Sequence, residues 1–285
     1  MCVPPVVCPI EALDPDLAQR ELFKQMPTLE LDVTFPLRNF LTEISPNDAM
    51  FDNSAHYVNV GLSALRVLEY AIARQLIAPS GPQRILDLPC GHGRCGRVLR
   101  SRFPQAELTV CDIDRDGVDF CASRLNATGV YSSRDFDKLD LQCSYELIWV
   151  SSLITHLNSR YTVKFIKRME GRLSEEGLLV LSNHGQFAVD RIVAEEYLYG
   201  LNTTSLECLV EQYNLLGYGY VDYDGVEGYG VSLISRHWLE GLFSDGQCMI
   251  ADYLEHELDN HHDVIFVKKR AVVNVSTPDP SDALV

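Results

Sequence analysis

The sequence predicts an α/β fold with a doubly wound, mostly parallel β-sheet that is covered by helices on both faces. Between residues 84 and 183, strand-like apolar runs alternate with helical segments. These runs are nearly continuous in apolar residues, which is typical of parallel strands buried on both faces. The last two runs are separated by only eight residues, Glu255 to His262. Because a parallel crossover needs a dozen or more residues, we expect them to form an antiparallel hairpin at the sheet edge.

Each element can be justified in order along the chain. Apolar residues at intervals of three or four predict a helix over 55–78, which ends at the turn cluster APSGPQ. Helices are predicted over GRCGRVLRSRF, DGVDFCASRLNATG and 159–173. The predicted strands are RILDL, ELTVCDI, VYSS, YELIWVSSL and EGLLVLSN, followed by the hairpin strands QCMIADYL and DVIFVKK.

The pattern also suggests a domain organisation. Residues 1–53 are rich in proline and acidic residues and are expected to form an N-terminal extension with short helices. One domain is expected over 54–270, with a lid-like insertion rich in tyrosine and glycine at about 190–230. The polar residues 271–285 are expected to be a disordered tail.

Composition excludes several classes of function. The chain of 285 residues has a formal net charge of −16, which opposes a nucleic-acid partner. No apolar run is long enough to span a bilayer, and the N-terminus lacks the basic region of a signal peptide. The nine cysteines are an odd number and are scattered, which suggests reduced thiols and a cytoplasmic location rather than a disulfide framework.

The stretch RILDLPCGHGRCGRVL, residues 84–99, predicts a strand, a glycine loop and a helix. Gly91, Gly93 and Gly96 satisfy G-x-G-x-x-G, which would indicate a dinucleotide site. A second interpretation starts at Asp87, at the end of the strand. Its carboxylate would repel a pyrophosphate but suits the ammonium group of S-adenosylmethionine, and the three residues between Asp87 and Gly91 lengthen the turn. The terminal hairpin also breaks the parallel continuation expected of a second nucleotide-binding half.

The sequence resembles the class I S-adenosylmethionine-dependent methyltransferases over roughly residues 57–269. The matching stretches are ILDLPCGHGR, LTVCDID, YELIWVSSLITHL and LSEEGLLVLSNHG. The resemblance implies a sheet of seven strands with an antiparallel last strand, and S-adenosylmethionine as the cofactor. Pro89 stands where the family usually has glycine; proline removes an N–H and fixes φ at about −65°, while Gly91 and Gly93 supply the flexible positions of the turn.

Cofactor contacts are expected at the ends of successive strands. Asp112, 21 positions after Gly91, would accept hydrogen bonds from both ribose hydroxyls, although it could instead cap the next helix, as could Asp114. The resemblance implies that Asp135, with Asp137 as a rival, contacts the adenine amino group. Tyr57 resembles an aromatic residue that caps the methionine end, and a core role is the alternative. The predicted cofactor-binding residues are Tyr57, Asp87, Pro89, Gly91, Gly93, Asp112, Ile113, Asp135, Phe136 and Ser151.

Two histidines are candidates for catalysis. His156 follows the fourth strand and His184 ends the fifth; either could take a proton from an acceptor hydroxyl or only position the substrate. No metal is expected, because the adjacent His261 and His262 would point to opposite faces of a strand.

The function that follows is methyl transfer from S-adenosylmethionine to a small-molecule or glycan acceptor in a biosynthetic pathway. The acceptor is expected to meet Tyr218, Tyr220, Tyr223 and Tyr229 of the insertion. An NAD(P)-dependent oxidoreductase and a non-catalytic scaffold of the same fold are the alternatives. Neither a nucleic-acid nor a membrane partner is expected, and a homodimer is left open.

Overall fold

A computed structural model of the chain describes residues 40–51 and 54–271. The predicted extension over 1–53 therefore lies outside the described residues except for 40–51, and so does the predicted tail except for Ala271. No helix in the described ranges has the length and apolar character needed to cross a membrane.

In the described part of the chain, seven strands form the main sheet: β1 (Arg84–Asp87), β2 (Glu107–Asp112), β3 (Thr128–Tyr131), β4 (Tyr145–Val150), β5 (Leu173–Asn183), β8 (Cys248–Leu258) and β9 (His262–Lys269). Their order in the sheet is β3-β2-β1-β4-β5-β9-β8. The strands β1 to β5 are parallel, and β9 pairs antiparallel with both β5 and β8. The predicted parallel sheet and its terminal antiparallel hairpin are confirmed.

Helices cover both faces of the sheet. They are α1 (Ser54–Ala73), α2 (Gly96–Arg102), α3 (Arg115–Arg124), α4 (Ser159–Glu170), α5 (Gln186–Val193), α6 (Thr203–Leu216) and α7 (Arg236–Leu242). One buried cluster packs α1, α2 and α3 against alternate strand residues such as Ile85, and a second packs α4 and α7 against the intervening ones such as Leu86. This alternation follows from the period of two in a strand.

Residues 186–234, between β5 and α7, form a separate substructure. Helices α5 and α6 pack on a two-stranded antiparallel sheet of β6 (Tyr218–Asp222) and β7 (Gly230–Ile234), around a core of their own. The tip of the β6–β7 hairpin, residues 223–229, reaches the carboxyl-terminal edge of the main sheet, where it lines a cleft.

Several predicted boundaries were wrong by a few residues. Helix α1 ends at Ala73 rather than at 78, and Gln75 just after it has a φ of +59°. Helix α3 ends at Arg124 rather than at 129, because Asn126 adopts a φ of +49° and starts the turn into β3. Both stops use left-handed residues other than glycine, which pattern reading does not single out.

Candidate active site

The cleft opens at the carboxyl ends of β1, β2 and β4 and has a volume of about 920 Å³. Ligands of open α/β sheets bind at this edge, where the strand order reverses. The hairpin tip forms its outer wall. Another concavity, of about 630 Å³, lies at the opposite edge near residues 80–84 and 102–107. The cleft lining includes Leu88, Pro89, Asp112, Ile113, Ser132, Ser133, Phe136, Leu153, Tyr161, Tyr220 and Tyr229.

The glycine loop lies between the end of β1 and the start of α2. Gly91 and Gly93 have φ values of +48° and +85°, which only glycine adopts without strain. A Cβ atom on Gly91 would meet nothing within 4 Å, so the loop presents open backbone there. Behind the loop, a Cβ atom on Gly117 would lie 2.4 Å from the Gly91 carbonyl oxygen, so α3 supports the loop by direct backbone contact.

Asp87, the last residue of β1, is completely buried. Neither of its carboxylate oxygens has a hydrogen-bond partner among the described residues. Burial, followed by the charge of Asp112, raises the pKa of the Asp87 carboxyl well above its usual value. Burying an acid without a partner costs free energy. Asp87 therefore favours a bound cation or hydrogen-bond donor at the start of the glycine loop.

Asp112 ends β2 and lines the cleft with 8% of its surface exposed. One carboxylate oxygen accepts the Gly91 N–H at 2.8 Å, and the other accepts the Asp114 N–H at 3.0 Å. Helix α3 is capped by Asp114, whose carboxylate accepts the Asp116 N–H at 3.1 Å. Asp114, rather than Asp112, is therefore the residue that caps the helix. Each carboxylate oxygen of Asp112 keeps a second lone pair for a ligand.

The structure brings part of the predicted cofactor set together around the cleft. Pro89, Asp112, Ile113 and Phe136 line it, and Ile113 is 58% exposed, an unusual state for an isoleucine. Asp135 is turned to other partners: it accepts the Asp137 N–H at 3.2 Å and pairs with Lys164 at 3.0 Å. The hydrogen bond from Lys164 is the largest cause that lowers the pKa of the Asp135 carboxyl.

Two of the predicted cofactor-binding residues, Tyr57 and Ser151, are not part of the cleft lining. Tyr57 is 1% exposed and donates its hydroxyl to Asp48 at 2.7 Å, so the structure places it in the core beside the glycine loop. Ser151 is half-buried, with its hydroxyl 3.8 Å from the Cys95 sulfur. Their roles toward a cofactor stay predictions.

His156 lies in a short 3₁₀ turn after β4, next to the hairpin. Its Nδ1 is 2.8 Å from the Gly230 carbonyl oxygen, which can only accept, so we assign the proton to Nδ1. The ring stacks on Tyr229, a residue of the cleft wall, with 4.8 Å between ring centroids. Burial lowers the pKa of His156, which keeps the ring neutral near pH 7 with a free lone pair on Nε2.

His184 is 4% exposed and does not belong to the cleft lining. The expectation that His261 and His262 point to opposite faces is wrong: their rings lie 5.1 Å apart, and both contact His184. The reason is that His261 belongs to the turn before β9, where strand alternation does not apply, and only His262 belongs to the strand.

The four predicted tyrosines divide between two roles. Tyr220 and Tyr229 line the cleft, and Tyr223 contacts the ring of His156. Tyr218 is buried instead and donates its hydroxyl to the Leu157 carbonyl at 2.7 Å, so it fastens the hairpin to the turn after β4.

Sequence reasoning missed Arg97, which points inward from α2 and is 1% exposed. Its guanidinium donates to the backbone carbonyl oxygens of Leu41 (2.9 Å), Glu43 (3.1 Å) and Gly93 (2.9 Å). Arg97 thus ties residues 40–51 to the glycine loop. The only signal in the sequence was that this arginine lies on the apolar face of a helix. Pattern reading assigns an arginine side chain to solvent, so the signal was passed over.

Comparisons with known proteins agree with this geometry. Residues 86–179 match a family model described as "Methyltransferase domain". A malonyl-(acyl-carrier protein) O-methyltransferase from Bacillus cereus is 27% identical over 116 residues, which are 40% of this chain and 42% of that protein. The human N-terminal Xaa-Pro-Lys N-methyltransferase 1 is 23% identical over 154 residues, 52% of this chain and 68% of that protein. The chain thus spans less than half the length of the Bacillus relative.

A solved structure shares the fold. CalS10, an amino pentose methyltransferase from Micromonospora echinaspora involved in calicheamicin biosynthesis, aligns with a TM-score of 0.50 and 16% identity. The alignment covers 74% of this chain and 92% of CalS10. The strand order and the family match over residues 86–179 together show a methyltransferase domain with the class I fold.

Proposed function

We propose that the chain transfers a methyl group from S-adenosylmethionine to a small-molecule or glycan acceptor. The observation that carries the proposal is the buried, unpartnered carboxylate of Asp87 beside the open backbone of Gly91. A cofactor with an ammonium group, bound directly or through water, satisfies that carboxylate, whereas the pyrophosphate of a dinucleotide would be repelled by it. This favours S-adenosylmethionine over NAD(P).

The cleft offers a matching environment for the rest of the cofactor. The free lone pairs of Asp112 suit two ribose hydroxyls, and Ile113 and Phe136 offer apolar surface to a purine ring. S-adenosylmethionine supplies a methyl group that is bonded to a positively charged sulfur. This sulfur is the leaving group, and it needs no proton to leave. The contribution of the protein is to hold donor and acceptor in line and to exclude water.

His156 is the candidate proton acceptor for a hydroxyl substrate. Its Nδ1 proton is held by the Gly230 carbonyl, so Nε2 is the atom that would take the proton. The stack with Tyr229 fixes the ring plane at the cleft wall. We place His184 outside this step, because it is 4% exposed and its ring packs on Tyr199, His261 and His262, none of which lines the cleft.

The tyrosines indicate the chemical class of the acceptor. Tyr161, Tyr220 and Tyr229 give the cleft flat apolar faces with polar tips, which suit a sugar or an aromatic ring. The similar proteins suggest two acceptors for a first test, a malonyl group on a carrier protein and an amino pentose. The cytoplasmic location and the absence of a nucleic-acid partner stay predictions from composition.

Calorimetry tests the cofactor assignment. We expect S-adenosylmethionine and S-adenosylhomocysteine to bind and NADH not to bind. Tight binding of NADH without a response to S-adenosylmethionine would show an oxidoreductase, and no binding of any adenosine-containing ligand would indicate a scaffold. Radiolabelled methyl transfer to amino sugars, phenolic compounds and a malonylated carrier protein then identifies the acceptor class.

A second experiment tests His156. We expect His156→Gln to lower kcat at least tenfold for a hydroxyl acceptor and to remove the rise of rate with pH that reports its titration. The affinity for S-adenosylhomocysteine should stay unchanged. An unchanged pH profile would show that His156 does not take the proton.

A further inference from the structure

Three histidines meet where β5 ends and β9 begins. His184 follows β5, His261 lies in the turn after β8, and His262 is the first residue of β9. Because β9 runs antiparallel to β5, with Asn183 paired to Asp263, the start of one strand faces the end of the other. The topology therefore brings together residues that are 77 or more positions apart in the sequence.

The spacing of the rings is that of a metal site. The ring centroids are separated by 5.3 Å for His184 and His261, 4.9 Å for His184 and His262, and 5.1 Å for His261 and His262. Three imidazoles that bind a tetrahedral zinc ion at about 2.0–2.1 Å have their ring centroids about 5 Å apart. One ring nitrogen from each histidine lies within 4.8 Å of the others, so small side-chain rotations would bring them to a common ion.

Hydrogen bonds already orient two of the rings. The Nδ1 of His184 is 3.1 Å from the Ser232 carbonyl oxygen, which leaves Nε2 with its lone pair. The Nε2 of His261 is 2.6 Å from the Tyr199 hydroxyl. Metal-binding histidines typically use their second nitrogen in this way, because the partner fixes the tautomer and the ring plane.

The charge state also suits a metal. Burial is the largest cause that lowers the pKa of all three histidines, and it lowers the pKa of His262 to about 3. All three rings are therefore neutral at pH 7, which is the form that binds metal.

We propose that His184, His261 and His262 bind one divalent transition-metal ion of the zinc type, with a fourth position left for water or an acceptor oxygen. Imidazole ligands suit zinc, cobalt and nickel, and three of them leave an open position. The metal site lies behind the cleft wall: His184 and His156 bond to neighbouring β7 carbonyl oxygens, those of Ser232 and Gly230, and His156 stacks on Tyr229. Binding of the metal is independent of methyl transfer; a role in holding the acceptor oxygen rests on the proposed function.

The test uses the full chain, stripped with EDTA and dialysed. Titration with Co²⁺ and with Zn²⁺ is followed by calorimetry, and the Co²⁺ complex also by visible absorption. We expect one ion per chain and the intense absorption of a four-coordinate cobalt site. His261→Ala and His262→Ala should each weaken binding at least tenfold, whereas His237→Ala, an exposed histidine on α7, should leave it unchanged.

Circular dichroism melting of each variant confirms that it is folded. Tyr199→Phe provides a milder variant. It should weaken metal binding while the aromatic ring at position 199 stays in place. The proposal is overturned if the wild-type chain binds no stoichiometric Co²⁺, or if the double variant of His261 and His262 binds it as tightly as the wild type. Calorimetry with S-adenosylhomocysteine on the same samples separates the two ideas. Cofactor binding without metal binding would refute only the metal site. Metal binding without cofactor binding would refute only the proposed function.

Discussion

Replacement of Asp87 by asparagine should stabilise the chain while it weakens cofactor binding. The wild-type carboxylate is completely buried and has no hydrogen-bond partner among the described residues. Leaving a buried polar group unsatisfied costs about 1–3 kcal/mol, and more when it is charged. Asparagine has nearly the same shape but cannot ionise, so Asp87→Asn removes the cost of the buried charge. Because one unit of pKa shift corresponds to about 1.4 kcal/mol, we expect it to raise the free energy of unfolding at pH 7 by about 1–3 kcal/mol.

The gain in the free energy of unfolding from Asp87→Asn should increase with pH. Burial raises the pKa of Asp87 in the folded state above 3.8, its value in the unfolded chain. The destabilisation by the wild-type carboxyl is therefore absent below pH 3.8, grows as the pH rises toward the folded-state pKa, and is constant above it. The advantage of Asp87→Asn should be larger at pH 7 than at pH 4.5.

Urea denaturation of the ligand-free chain at both pH values measures the effect, with Asp245→Asn, an exposed aspartate, as the matched control. The affinity for S-adenosylhomocysteine should fall at least tenfold in Asp87→Asn and not in the control. The reasoning is refuted if Asp87→Asn is less stable than the wild type at pH 7, or if it binds S-adenosylhomocysteine equally well.

Three further substitutions probe the same loop. Asp112→Asn should weaken S-adenosylhomocysteine at least tenfold in calorimetry, because hydrogen bonds to a charged group contribute about 1.5–3 kcal/mol; an unchanged Kd would remove Asp112 from the site. Gly117→Ala places a Cβ 2.4 Å from the Gly91 carbonyl oxygen and should destabilise the chain by about 1–3 kcal/mol. Gly241→Ala, in an open position of α7, should stabilise it by about 0.5–1 kcal/mol, so equal urea midpoints for the two variants would contradict the clash. Arg97→Met keeps the volume but loses the buried hydrogen bonds and should destabilise by about 3 kcal/mol; a loss below 1 kcal/mol would show that solvent replaces those bonds.

The fold could be predicted because its signals are local. A parallel strand buried on both faces is a short apolar run, and the short link before β9 excludes a crossover. The ends of α1 and α3 could not be placed accurately, because Gln75 and Asn126 adopt left-handed conformations that their residue types do not demand. Such stops depend on tertiary contacts of the neighbouring residues rather than on intrinsic preference.

The site was predictable only in part, for a similar reason. Pro89, Asp112, Ile113 and Phe136 follow strand ends, and the sheet alone brings these positions to one edge. The partners of Asp135 and the meeting of His184 with His261 depend on side-chain packing and on a turn, which no spacing rule describes.

The reversed direction of β9 has a consequence for how this protein could acquire new specificity. If every strand ran the same way, the connection into the last strand would open on the far side of the molecule, away from the cleft. Here β8 runs with the parallel strands, and the short link over 259–261 reaches the same rim as the glycine loop. Exchange of residues in this one link would alter the chemistry at the rim while the sheet that holds the cofactor keeps all its pairings.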